Sequence, residues 1–206
     1  MRYGMCATMA HSRLFHFIPP LPLPVSATPF IGRTEELAYI GKRLAQSTCR
    51  LLTLVGRGGM GKTRLALAAG QRQQTTFIDG VVFVSLAVTT DTSLIPDTVA
   101  RSLRLTLSGS SSEQVLTYLR RRSVLLILDN CEQLEGDLVW LSDLLVQALG
   151  VKILATSRER LHLAEEWIYA VPALSQSVDL FAATAQRVMR GYVTALKHSP
   201  KLVCRV

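Results

Sequence analysis

The stretch Leu51-Leu52-Thr53-Leu54-Val55-Gly56-Arg57-Gly58-Gly59-Met60-Gly61-Lys62-Thr63-Arg64-Leu65-Ala66 decides the fold. Its first five residues form a short apolar run of strand length, and Arg64–Ala69 are strong helix formers. Between them stands Gly56-x-x-x-x-Gly61-Lys62-Thr63. Glycines let such a loop adopt positive φ and bring its backbone N–H groups close to phosphate. A helix starting near Gly61 adds the partial positive charge of its N-terminus. Lys62 can reach the β- and γ-phosphates of a nucleotide, and Thr63 offers a hydroxyl to Mg²⁺. The bland alternative is a chance match in a turn. The strand before the loop and the helix after it decide for phosphate binding.

Two further strand ends belong with this loop. Val124-Leu125-Leu126-Ile127-Leu128 is the most strand-like run in the chain, and it stops at Asp129-Asn130. An acid at the end of a buried parallel strand lies where open α/β sheets bind ligands. Asp129 can therefore hold the magnesium shell opposite Thr63; taken alone, it could equally cap the next turn. Val151–Ala155 reads as another strand, followed by Thr156-Ser157-Arg158. A cation there can sense a γ-phosphate, although the local signal is weak without the other two.

The rest of the chain supplies strands and helices in alternation. Thr34 reads as the cap of a helix with Glu35 and Glu36 in its first turn and Leu37, Ile40 and Leu44 on one face. Asp79-Gly80 turns into the strand Val81–Val84, and helical patterns occupy 93–104 and 112–122. A helix over Leu138–Leu149 is expected to stop at Gly150 as its C′ residue, and 167–171 can add a fifth strand. Strand and helix in alternation predict an open α/β sheet with right-handed crossovers.

Composition agrees with a single core-forming domain: 49% of residues are hydrophobic, 18% charged and only 6% aromatic. The net charge of +8 invites a nucleic-acid reading. Yet Arg187, Arg190, Lys197, Lys201 and Arg205 crowd the C-terminal tail, and Arg2 and Arg13 the N-terminal one, with no acid in either. The central part is close to neutral, so the charge describes the ends and reads as solvated termini. Cys6, Cys49, Cys131 and Cys204 have neither metal-ligand nor paired spacing and read as thiols of a reduced compartment. The apolar N-terminus is broken by His16, Pro19, Pro20, Pro22 and Pro24, and no run approaches a spanning helix. A cytoplasmic protein is expected. Arg120-Arg121-Arg122 reads as a basic helix end, Trp140 as core, and His162 as a residue without acid–base partners.

Together these motifs resemble the NB-ARC branch of the STAND class of signal-transduction ATPases, above all the ATPase modules of large bacterial transcriptional regulators. Phe30-Ile31-Gly32-Arg33-Thr34-Glu35-Glu36-Leu37 is similar to that family's segment ahead of the P-loop, which contributes to the adenine pocket. Gly56–Thr63 matches its Walker A motif, Leu125–Glu132 its Walker B strand, and Thr156-Ser157-Arg158-Glu159 its first sensor, whose arginine contacts the γ-phosphate. Leu180-Phe181 looks like the start of its next helical segment.

The resemblance implies a three-layer α/β P-loop NTPase of the ASCE/AAA+-like type, with a central parallel sheet in strand order 5-1-4-3-2. It implies ATP or ADP with Mg²⁺ as ligands. Gly56, Arg57, Gly58, Gly59, Met60, Gly61, Lys62, Thr63 and Arg64 would line the phosphates, with Phe30, Ile31, Gly32 and Arg33 beside the base. Thr63 and Asp129 would hold the metal, and Asp129, Glu132 and Arg158 would serve catalysis. The expected organisation is a Pro-rich leader over 1–28, the NTPase domain over 29–175, and the start of a helical region with a basic tail over 176–206. The family's Gly-Leu-Pro-Leu type motif and winged-helix region have no counterpart here, as in a truncated module. Asn130 stands where many related ATPases carry a second acid, which leaves Glu132 as the candidate to orient water and implies an expectation of slow or absent turnover.

The expected function is an ATP/ADP-binding regulatory switch, with a second copy of itself or a regulatory protein as candidate partner. A P-loop kinase or transferase would need a basic lid, for which Arg101, Arg104 and Arg120–Arg122 are candidates; the motif order and Thr156-Ser157-Arg158 argue against it. A non-hydrolysing nucleotide-binding scaffold is the other alternative. Sequence-specific DNA binding ranks last, because neither tail shows a helix-turn-helix pattern.

Overall fold

The fold is known from a computed structural model, which describes residues 21–25, 30 and 32–173. The order is α1 Thr34–Ala45, β1 Leu51–Val55, α2 Lys62–Gln73, β2 Val81–Ser85, α3 Ile95–Ser102, α4 Ser111–Leu119, β3 Leu125–Asp129, α5 Val139–Gln147, β4 Lys152–Ser157 and β5 Glu166–Ala170. Single 3₁₀ turns at Thr92–Leu94 and Cys131–Gln133 precede α3 and follow β3.

All five strands are parallel, in the order β2-β3-β4-β1-β5, which is the order the resemblance implies. Parallel strands need both faces covered, and the side chains of β3 alternate accordingly. Leu126 and Leu128 join Val99, Leu119, Leu141 and Leu144 on the α3–α4–α5 side. Leu125 and Ile127 join Ile40, Leu44, Leu65 and Ala66 on the α1–α2 side. Each fully buried leucine or isoleucine contributes ~1.5–3 kcal/mol relative to exposure, so this sandwich fixes the strands rigidly.

Three local readings are corrected. Thr34 is the first helical residue of α1 and not its cap: the cap position belongs to Arg33, in the left-handed region at φ 62°, without a side-chain cap. Gly150 is not a left-handed C′ residue. The chain leaves α5 through Ala148, and a Cβ at Gly150 would collide with the Arg122 carbonyl oxygen, so close backbone approach is its reason. Arg120–Arg122 lie beyond α4, which ends at Leu119. Arg122 crosses the Tyr118 ring at 4.1 Å and pairs with Asp79 at 3.1 Å, while the Ser123 N–H donates to the same carboxylate. The Asp79-Gly80 turn thus sets the start of β2 against the start of β3.

This topology gathers the site. β1 lies between β4 and β5, and β4 between β1 and β3. The loop after β1, the end of β3 and the end of β4 therefore emerge side by side at one edge of the sheet, where the strand order reverses and open α/β sheets bind ligands.

Candidate nucleotide site

The glycine-rich loop leaves β1 at Gly56, whose N–H donates to the Ser157 carbonyl at 3.3 Å. Gly59 and Gly61 both sit at φ 79°, a conformation that costs other residues ~1–2 kcal/mol. Arg57, Gly58 and Gly59 form the exposed crown, and Met60 is half-buried. The Met60 Sδ accepts from the Arg57 N–H at 3.1 Å. α2 starts at Lys62 with Gly61 as its cap residue, so its unpaired N–H groups and positive dipole end face the loop.

Lys62 is buried and bends back over the loop, donating from Nζ to the Gly56 carbonyl at 2.6 Å and the Arg57 carbonyl at 3.1 Å. Among the described residues no carboxylate pairs with this ammonium, and phosphate oxygens would be stronger acceptors than two neutral carbonyls. Arg64 follows on the first turn of α2, half-buried.

Thr63 Oγ1 donates to Asp129 Oδ1 at 2.7 Å across the gap between α2 and β3. Thr156 Oγ1 donates to the same oxygen at 2.6 Å and accepts from the Asn130 N–H at 3.1 Å. Asn130 turns the chain there in the left-handed region at φ 65°. Asp129 is 5% exposed, so two hydroxyl donors offset part of the desolvation of its carboxylate. The set suits Mg²⁺: hard oxygen ligands, one carboxylate and one hydroxyl, beside the loop that would supply phosphate oxygens. Among the described residues no group of three or more His, Cys, Asp or Glu could form a protein-only cage. A metal here would share its shell with phosphate.

Glu132 and Arg158 form a second unit. Arg158 Nε lies 3.3 Å from Glu132 Oε1; the Arg158 side chain is 65% exposed and that of Glu132 only 9%. Glu132 Oε2 is buried without a hydrogen-bond partner. Glu132 also borders a cavity of about 470 Å³ walled by Leu138, Ser142, Ser157, Arg160 and His162, between the loops that follow β3 and β4. The structure brings Thr63 and Asp129 together, folds Lys62 back on the loop between β1 and α2, and joins Glu132 to Arg158.

Of the segment expected beside the base, Phe30 is 36% exposed and Gly32 lies at φ 71°, while Ile31 falls outside the described residues. Arg33 is buried. Its Nη1 donates to Glu36 Oε1 and the Pro172 carbonyl, both at 2.9 Å, and its Nη2 to the Met60 carbonyl at 3.1 Å. The sequence reading missed this set of partners and the bond from Thr156 to Asp129. Thr156 stood in the quoted sensor motif, but a hydroxyl at the end of a strand does not announce which neighbour it meets.

The family comparison agrees with this geometry. The NB-ARC domain family matches residues 33–167, and the chain belongs to it. A Mycobacterium tuberculosis protein named as an HTH-type transcriptional regulator is 37% identical over 173 residues, covering 79% of this chain and 19% of that protein. The regulatory protein AfsR of Streptomyces griseus is 30% identical over 157 residues, covering 70% of this chain and 16% of its own length. The chain thus spans less than a fifth of these two relatives. Among solved structures, Cdc6p from Pyrobaculum aerophilum superposes with a TM-score of 0.58 at 18% identity, over 82% of this chain and 52% of that one. That likeness shows the fold: a P-loop NTPase of the ASCE/AAA+-like type, with a central parallel sheet between helical layers. Leu180-Phe181, read as the start of a further helix, lies outside the described residues.

Proposed function

We propose that this chain is the ATP/ADP-binding switch module of a regulatory protein, holding adenine nucleotide with Mg²⁺ and hydrolysing ATP slowly or not at all. The observation that carries the reading is the 2.7 Å bond between Thr63 and Asp129 beside the Lys62 ammonium. It supports the reading because a phosphate-binding cation and two candidate metal ligands would already be oriented before any ligand arrives. Lys62 would exchange its loop carbonyls for the β- and γ-phosphates. Thr63 and Asp129 would hold Mg²⁺, which when bound neutralises phosphate charge. Backbone N–H groups of Gly58–Thr63 would cradle the phosphates, with Arg64 next to them and Phe30–Arg33 flanking the base. Arg158 would meet the γ-phosphate after leaving Glu132, and Glu132 would then be free to orient water. Asn130 in place of a second acid supports slow turnover.

The proposal extends to the whole regulator. The names of the relatives support a role in transcriptional regulation, with residues 29–175 as the switch and other segments as readout. Among the described residues no helix is long and apolar enough to cross a membrane. Calorimetric titration with ADP and ATP, each with and without Mg²⁺, tests the site. Saturable binding strengthened by Mg²⁺ supports it; a folded protein that binds neither nucleotide refutes it.

A further inference from the structure

The peptide between Met60 and Gly61 turns on Met60 ψ and Gly61 φ, and Gly61, at φ 79°, offers little steric resistance to its reorientation. A bond from outside the loop can fix it. The Arg33 Nη2 donates to the Met60 carbonyl at 3.1 Å. In a planar trans peptide the carbonyl oxygen and the following N–H point in opposite directions. Holding the Met60 oxygen toward Arg33 therefore turns the Gly61 N–H away from Arg33.

The same guanidinium reaches elsewhere. Nη1 donates to the Pro172 carbonyl at 2.9 Å, two residues past the end of β5, and to Glu36 Oε1 at 2.9 Å on the first turn of α1. The Arg33 side chain is 6% exposed and that of Glu36 is 15% exposed, so the ion pair and both carbonyl bonds lie out of bulk water. Val171 is tied in as well: its N–H donates to the Val55 carbonyl at 2.7 Å, immediately before Gly56. A planar fork with several fixed N–H donors can bridge two carbonyls at once, whereas an ammonium is a point charge without that geometry.

We propose that Arg33 is a positioning residue that presets the Met60–Gly61 peptide for phosphate and ties it to the point where the chain leaves β5. Phosphate binding at the loop and the seat of the chain at Val171–Pro172 are then coupled through one buried side chain. The coupling rests on the nucleotide reading above; the clamp itself does not.

Hydrogen exchange followed by mass spectrometry on the full chain tests this, comparing wild type with Arg33→Lys, each with and without ADP–Mg²⁺. Without nucleotide, Arg33→Lys should speed exchange about tenfold both at loop amides 58–62 and at Val171, from the loss of a hydrogen bond to a charged group. Amides of α3 and α4 should not change, which separates a clamp from general destabilisation. In wild type, ADP–Mg²⁺ should slow both the loop and Val171; in Arg33→Lys it should slow only the loop. Loosening at one end alone, or equal ADP protection of Val171 in both proteins, overturns the proposal. If wild type binds no ADP, the nucleotide reading and the coupling fail, and the ligand-free arm still decides the clamp. Should Arg33→Lys not fold, Glu36→Gln removes the counter-ion and should loosen both ends together to a smaller degree; an effect at one end only overturns the clamp.

Discussion

The two ends of the site are built differently. On the proposed phosphate and metal side, Thr63 and Thr156 meet Asp129 at 2.7 and 2.6 Å, and Lys62 is held on the Gly56 carbonyl at 2.6 Å, all through groups rooted in the sheet, the loop or the first turn of α2. On the sensing side, Glu132 sits on a 3₁₀ turn and Arg158 beyond the end of β4, and each holds the other at 3.3 Å. The first unit is placed by strands packed on both faces and has little freedom to be elsewhere. The second is placed by a contact between two side chains, one of them mostly in water. Such a pair is worth only ~0–1 kcal/mol, so a strong competing anion can replace one partner. A module that holds nucleotide rigidly and reads its third phosphate through an exchangeable contact would bind first and discriminate second.

The comparison breaks most visibly at Lys62. Lys62→Ala should reduce ADP and ATP affinity by about a hundredfold or more, since it deletes charged hydrogen bonds worth ~1.5–3 kcal/mol each. Calorimetry showing unchanged affinity would remove the phosphate side from the argument. Asp129→Ala should come next, costing about tenfold in the presence of Mg²⁺ and far less in EDTA. Equal losses in both conditions would assign Asp129 to the support of Thr63 and Thr156 and not to metal.

The sensing side should respond more gently and with opposite signs. Glu132→Gln frees Arg158 and should raise the preference for ATP over ADP about two- to fivefold, whereas Arg158→Ala should lower it. Competition binding with both nucleotides reads this directly, and parallel shifts in the two variants would show that the pair is not exchanged. The smallest effect is expected at Gly58, which has normal φ and open space around its Cβ position. Thermal denaturation should place Gly58→Ala within ~0.5 kcal/mol of wild type. Gly61→Ala, strained at φ 79°, should lose ~1–2 kcal/mol.

Much of this was legible because the signals are local. A strand-length run with four apolar residues, the glycines, Lys62 and Thr63 are contiguous, and a strand ending at Asp129 is visible as a change from leucine to carboxylate. Strand order was not legible from periodicity, which says that a strand is buried but not beside what. It came from the resemblance alone. The bond from Thr156 to Asp129 depends on β4 inserting between β1 and β3, and the partners of Arg33 lie 27 and 139 residues away. Gly150 shows the same limit from the other side: a glycine after a helix invited a capping explanation, while its cause is the Arg122 backbone across the layer.

Cys131 lies between Asn130 and Glu132, and its thiol is 3% exposed. Burial first, then the carboxylates of Asp129 and Glu132, push its ionisation well above the ordinary thiol range. Cys49 is also buried, and burial raises its thiol too. Alkylating reagents attack the thiolate, so neither sulfur should react in the closed fold at neutral pH. With Cys6 and Cys204 replaced by serine and Cys49 by alanine, the labelling rate of Cys131 becomes a stopwatch for the opening of the very turn that carries Glu132. A natural side chain would then time how often the sensing loop lifts, and by how much a bound nucleotide slows it, without a probe added to the site.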